Sequence, residues 1–301
     1  MSFDIQYILI NFLKGTFRDH VLRSRLCQAG GSPCGRDEVA EAAVLYEVKD
    51  QIAQITLNRP ENRNSMTDDV LEGLREAVTQ VRQDRDLRCV VITGRGRSFC
   101  AGADFKTQLQ RGDSAAGQLP HERSFAMYSP FLSVLEIEIP TIAALNGHAI
   151  GGGLGLAVVC DIRVANEGAK YGANFTRLGL HPGMATTYIL PRLMGLPRAT
   201  ELLLTGRIIS GREAAEWGLV HYAVPEEQVL EKARELAREI ASAAPHAVRM
   251  AKASIYRAAN WDPRQAAHWE AHAQSRSLET EDAQEGIRAL LEKRPPVFKG
   301  R

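Results

Sequence analysis

Apolar and polar residues alternate along VLYEVKDQIAQITLNRP, from Val44 onward. Ala53, Ile55 and Leu57 fall on one face of an extended chain and Ile52, Gln54 and Thr56 on the other, which predicts two strands around a turn at Lys49 and Asp50. The period then becomes helical. Val70, Leu71, Leu74, Val78 and Val81 recur at helical spacing behind Thr67, whose hydroxyl is placed to cap the first turn. CVVITG, residues 89–94, is apolar almost throughout and reads as a short buried strand. The plan then repeats, with a helix carrying Phe125, Tyr128, Leu132 and Leu135 and a second buried strand, TIAAL, at 141–145. Helices dominate the remainder. One spans 226–241 with Val229, Ala233, Leu236, Ala237 and Ile240 inward, and another spans 280–293 with Ile287, Leu290 and Leu291 inward.

Each buried strand runs into a loop of glycines and small residues, RGRSFCAGADF after the first and NGHAIGGGLG after the second. A glycine corner that leads into an apolar helix presents unhindered backbone N–H groups at the positive end of the helix dipole. The spacing is neither G-x-x-x-x-G-K-[ST] nor G-x-G-x-x-G, so the corner is not a phosphate loop or a dinucleotide fingerprint. Two such corners aimed at one point would hold a single oxygen on which negative charge develops, as in an enolate or a tetrahedral oxyanion. Close packing of a helix on a strand also calls for glycine, so GGGLG by itself leaves both readings open.

Composition narrows the function classes. A chain of 301 residues buries enough for one large domain with a small appendage. Lys and Arg number 37 against 36 Asp and Glu, a net charge of +1, so no global field draws nucleic acid and any anionic ligand must be held by local basic groups. The most apolar run, 143–159, is interrupted by Asn146, His148 and several glycines, so no membrane span is expected. The cysteines, Cys27, Cys34, Cys89, Cys100 and Cys160, are odd in number and form no C-x-x-C pair, which points to a reducing, cytoplasmic setting without structural zinc. Residues 1–43 stand apart. IQYILINFL is followed by Arg18, Arg23, Arg25 and Arg36 against few acids, which reads either as a loosely docked extension or as a transit peptide that would place the protein in the mitochondrion.

FCAGADF (99–105), NGHAIGGGLG (146–155), CDIRVA (160–165), LTGRIISGREAAEWGLV (204–220) and EGIRALLEKRPPVF (285–298) occur in that order. On these segments the chain resembles the crotonase, or enoyl-CoA hydratase/isomerase, superfamily from about Val44 to Arg301. The resemblance implies an α/β fold, a crotonase-like spiral of ββα repeats over 44–240. A C-terminal helical region over 241–301 would mediate a homotrimer or a dimer of trimers. It further implies an acyl-CoA thioester substrate, with no cofactor beyond the CoA that the substrate carries. Carried over position by position, the oxyanion hole would be the backbone N–H groups of Ala103 and Gly152. The CoA end would meet Arg59, Arg63, Ala101, Asp104, Lys106 and, from the last helix, Lys293 and Arg294.

The chain also departs from its relatives. Hydratases of this superfamily use two glutamates to place and deprotonate water, and the matching positions here hold Gly155 and Phe175, neither of which can carry a proton. GGGLG and MATTYILPR also resemble the arylacyl-CoA dehalogenases, but the position of their nucleophilic aspartate is Gly183 and that of their histidine falls near Tyr128. The groups left to move protons are Tyr128 and His181, while His148, Asp104 and Cys100 read as scaffold. Decarboxylation loses least by these changes, because departure of carbon dioxide itself generates the thioester enolate. The expected activity is therefore that of an acyl-CoA lyase or isomerase, decarboxylase-like or isomerase-like. The alternatives are a hydratase with substitute acid and base groups, an acyl-CoA hydrolase, and a non-catalytic acyl-CoA-binding homologue.

Overall fold

In the computed structural model, strand β1 (Val44–Lys49) and strand β2 (Ile52–Leu57) pair as an antiparallel hairpin. The turn between them places Asp50 and Gln51 at φ 52° and 62°, the left-handed pair that matches the twist of a two-residue hairpin. Ala53, Ile55 and Leu57 are fully buried, as the alternation predicts. The structure describes residues 41–104 and 119–301; the extension through residue 40 and Lys106 lie outside them.

Helix α1 (Asp68–Gln83) buries Val70, Leu74, Val78 and Val81. Its cap differs from the sequence expectation. The Thr67 hydroxyl donates to the Asp69 carboxylate instead of accepting from a first-turn amide. From here the chain repeats a three-part turn. β3 (Cys89–Gly94) enters the large sheet, β4 (Ser98–Cys100) a small one, and α2 (Pro120–Leu132) returns. The second turn is β5 (Thr141–Leu145), β6 (His148–Ile150) and α3 (Gly152–Val159). The third is β7 (Ile162–Asn166), β8 (Lys170–Gly172) and α4 (Thr186–Thr205). The spiral closes with β9 (Ile209–Ser210), α5 (Gly211–Glu216) and β10 (Tyr222–Val224).

The large sheet has the order β1-β2-β3-β5-β7-β10 and the small one β4-β6-β8-β9. Outside the first hairpin the large sheet is parallel, and β3 and β5 are buried on both faces, which is why their sequences read as unbroken apolar runs. The small sheet is absent from the sequence reading because three-residue strands carry too little pattern to detect. It nevertheless sets the site, because β4 and β6 run parallel and side by side.

Helix α6 (Val229–Ala241) covers the outer face of the large sheet with Val229, Ala233, Leu236 and Ala237, after a short 3-10 turn at Glu226–Gln228. Two expected stripes are corrected. Phe125 is 63% exposed and Leu135 is also exposed, while Phe131 and Val134 are fully buried. Pro130 and the 3-10 turn at Ser133–Glu136 tighten the winding, so the inward face moves off the predicted positions. In α9 (Glu281–Glu292), which follows α7 (Pro245–Arg257) and α8 (Pro263–Leu278), Leu290 and Leu291 are each 78% exposed and Ile287 is exposed too. The buried residues of α9 are Asp282 and Ala289.

One carboxylate ties α7 to the sheet. Asp161 Oδ2 accepts from the Thr141 amide at 2.7 Å and the Thr141 hydroxyl at 3.0 Å and pairs with Lys252 at 2.8 Å, and its Oδ1 accepts from the Tyr256 hydroxyl at 2.6 Å. Lys252 also donates to the Ile139 carbonyl. Removing one partner of a largely buried pair leaves the other charge desolvated. Asp161→Ala is thus expected to cost about 3 kcal/mol and lower the melting temperature by roughly 8 °C. A drop under about 2 °C in a calorimetric scan would show that water replaces this anchor.

Candidate active site

β4 pairs with β6 at Ser98 with His148 and at Cys100 with Ala149, with a shift of register between the two pairs, and the corners that follow them lie side by side. Gly102 has φ 88°, and a Cβ there would stand 2.7 Å from the Ile150 carbonyl oxygen and 3.1 Å from the Gly152 amide nitrogen. The corners are in direct contact. The first is fixed from its other side by the 63–66 loop: the Ala101 amide donates to the Arg63 carbonyl at 3.0 Å and the Met66 amide to the Gly102 carbonyl at 2.8 Å, bridging Met66 to Ala103. The second is fixed by β8, because the Gly151 amide donates to the Gly172 carbonyl at 2.8 Å. Gly151 takes φ 56° and ψ −117°, which a side chain would forbid.

Two amides remain. Gly152 is the first residue of α3, where an N–H has no intrahelical acceptor, and it lies at the positive end of that helix. Among the described residues neither the Gly152 nor the Ala103 amide donates to a backbone carbonyl outside regular helices and strands.

The five glycines of NGHAIGGGLG have different roles. A Cβ on Gly147 would strike the Arg97 carbonyl, and one on Gly153 the Cys100 carbonyl, so these two serve backbone packing. A Cβ on Gly152 would overlap the Met66 sulfur, near the end of a flexible side chain, and would stand at ordinary contact distance, 3.7 Å, from the Gly102 Cα, while one on Gly155 would meet Met184. The packing reading of this motif holds at Gly147 and Gly153, where the neighbour is backbone, and not at Gly152, where it is a side chain.

Side chains from three segments cover the start of α3, and they are apolar except for Asn174 Oδ1, which lies 3.4 Å from the Cβ position of Gly151. The Met66 sulfur lies over Gly152, the Met184 side chain over Gly155, and the Phe175 ring 3.9 Å from the Cβ position of Gly151. The Tyr128 hydroxyl reaches this wall from α2 and lies against Gly183, filling the space a side chain there would take. His181, two residues earlier, is exposed, and its Nδ1 lies 2.8 Å from the Pro182 carbonyl, which makes Nδ1 the protonated nitrogen. Cys100 packs beneath Gly153, and burial pushes its thiol up to about 12, so it is no nucleophile at neutral pH. His148 accepts the Lys170 amide at Nδ1; burial, followed by the Lys170, Arg97 and Arg63 charges, holds it below the usual histidine range and so neutral.

The other expected residues spread out. Asp104, half-buried, follows Ala103 directly, and Arg63 is exposed beside Ala101. Arg59 is turned toward α1, where it pairs with Asp69 at 2.9 Å and donates to the Glu41 and Asn58 carbonyls. Lys293 ends α9 in left-handed conformation and is exposed. Arg294 grips both oxygens of Glu285 and holds that carboxyl down to about 2, with help from the Val297 amide. Met66 and Met184 were not among the sequence candidates. Lone methionines carry no periodic signal, and only the tertiary fold brings them to the glycines.

The family described as enoyl-CoA hydratase/isomerase matches residues 47–301. The chain is 37% identical to the Bos taurus enoyl-CoA hydratase domain-containing protein 2, mitochondrial, over 93% of its own length and 94% of the relative's. Among solved structures, the enoyl-CoA hydratase from Bacillus anthracis superposes with a TM-score of 0.79 at 39% identity, covering 86% of this chain and all of the other. The enoyl-CoA hydratase from Polaromonas sp. JS666 gives 0.79 at 29% identity, over 85% and 99% of the two chains. With its ββα spiral and paired glycine corners, the chain belongs to the enoyl-CoA hydratase/isomerase family.

Proposed function

We propose that the protein is an acyl-CoA enzyme in which the Ala103 and Gly152 amides hold the oxygen of a thioester enolate, and that its reaction is decarboxylation of a malonyl-type thioester. The observation that carries this reading is the contact between the two corners beneath an apolar wall of Met66, Met184 and Phe175. Fixed dipoles in a dry site stabilise developing charge far better than water does. In the proposed step the bond from Cα to the carboxylate breaks, carbon dioxide leaves, and the electron pair moves onto the thioester oxygen. The Tyr128 hydroxyl then gives its proton to Cα and regains one from water. An apolar wall suits this reaction because it destabilises the substrate carboxylate more than the spread charge of the enolate.

Hydration of an enoyl thioester is the second reading, favoured by the names of the solved relatives. It would need Tyr128 or His181 in place of the carboxylates that Gly155 and Phe175 do not supply; the same two groups are the ones a double-bond isomerisation would use. Incubation with malonyl-CoA, methylmalonyl-CoA and crotonyl-CoA, followed by mass spectrometry, separates the readings. Loss of carbon dioxide from a malonyl-type substrate supports the proposal. Gain of water on crotonyl-CoA with no decarboxylation overturns it in favour of hydration. The exposed Leu290, Leu291 and Ile287 of α9 and Ile255 of α7 fit a surface covered by further copies of the chain, and we assign the assembly as a homotrimer or dimer of trimers.

A further inference from the structure

Met184 and Ala185 both hold left-handed backbone, at φ 59° and 55°. Among the described residues Met184 is the one buried apolar side chain in that conformation, with 1% of its surface exposed. Such a geometry is unfavourable for any residue with a Cβ and persists only where its surroundings over-determine it. Thr186, fully buried, supplies that constraint: its amide and its hydroxyl both donate to the Gly183 carbonyl, at 3.1 and 2.8 Å. The amides of Tyr188 and Ile189 both donate to the Ala185 carbonyl and lock the start of α4 behind it.

The strained turn delivers the Met184 side chain onto Gly155. A Cβ on Gly155 would stand 2.8 Å from Met184 Cγ and 3.3 Å from Cε. Gly155 lies three residues beyond Gly152 on the same helix, so it shares the face that carries the proposed donor amide. Beside it, Phe175 approaches Gly151, and the Tyr128 hydroxyl occupies the space at Gly183. The wall therefore meets the helix directly behind the donor.

We propose that Met184 is a specificity-determining residue of this site, closing the acyl pocket over Gly155 so that only short acyl groups seat against the Ala103 and Gly152 amides. The proposal rests on the acyl-CoA reading above but not on which reaction follows. Methionine is unbranched and adaptable, and the left-handed backbone compensates by fixing the direction in which it projects.

Titration calorimetry of the full chain with free CoA and with acetyl-, butyryl-, hexanoyl- and octanoyl-CoA tests this without any turnover. Wild type should bind acetyl- and butyryl-CoA at least about tenfold more tightly than octanoyl-CoA, and Met184→Ala should reduce that ratio by about tenfold or more, because a few methylenes in an apolar pocket discriminate on that scale. Met184→Gly, which also relieves the left-handed strain, should act the same way and provides a variant with an easier backbone. Met194→Ala, a core truncation farther along α4, should leave the ranking as in wild type. Equal wild-type affinity for butyryl- and octanoyl-CoA overturns the proposal, as does a ranking that both Met184 variants preserve. Absence of binding to every CoA species, free CoA included, overturns the acyl-CoA reading itself.

Discussion

Replacing Gly152 with proline should lower turnover by about a hundredfold or more while leaving the fold intact. A single oxyanion donor in a dry site contributes on the order of 3 kcal/mol to the transition state, and proline has no N–H to donate. The position tolerates the ring better than most. Gly152 is the first residue of α3, where proline's fixed φ is already helical and the missing amide breaks no intrahelical bond. Gly152→Ala is the matched control, since it keeps the amide and asks only the Met66 sulfur to move. Steady-state kinetics on whichever thioester proves to be the substrate would decide. If Gly152→Pro retains wild-type kcat with an unchanged melting temperature, the two-amide site is wrong and the corner is scaffold alone.

One residue further along, Gly153→Ala should do the opposite, failing as a fold before it fails as a catalyst. A Cβ there would overlap the Cys100 carbonyl oxygen and stand 2.7 Å from its carbon, both in the backbone of the partner strand. Nothing at that contact can rotate away, so β4 and α3 must separate. We expect a loss of about 3 kcal/mol or more, seen as a fall in melting temperature of roughly 8 °C or as insoluble protein. Gly152→Ala, differing by one position, should lose far less. Equal melting temperatures for the two variants would mean that the corner relaxes as a unit and that the division of roles within GGG is wrong.

The contrast between these neighbours shows how far a sequence can be read. NGHAIGGGLG presents five glycines with the same local character, so both roles remain open in the one-dimensional pattern. Gly153 and Gly147 are decided by strand backbone more than forty residues earlier in the chain. The stripes at Phe125 and Leu290 failed for a related reason. Helical periodicity reports that one face is apolar, but not whether the partner that covers it is this chain, a kinked segment of its own helix, or another molecule.

Legible in the order of residues alone are the hairpin at Val44–Leu57, the buried strands β3 and β5, the inward faces of α1 and α6, and the presence of two glycine corners. These are local properties: a period of 2, a period of 3.6, an unbroken apolar run, a residue without a Cβ. Tertiary structure alone decided that the corners meet, because β4 and β6 pair through three-residue strands separated by nearly fifty positions, too short to announce themselves. It alone also placed Met66 over Gly152 and Met184 over Gly155, since a contact between distant segments is fixed by how the sheets and helices pack together and leaves no periodic trace along the chain.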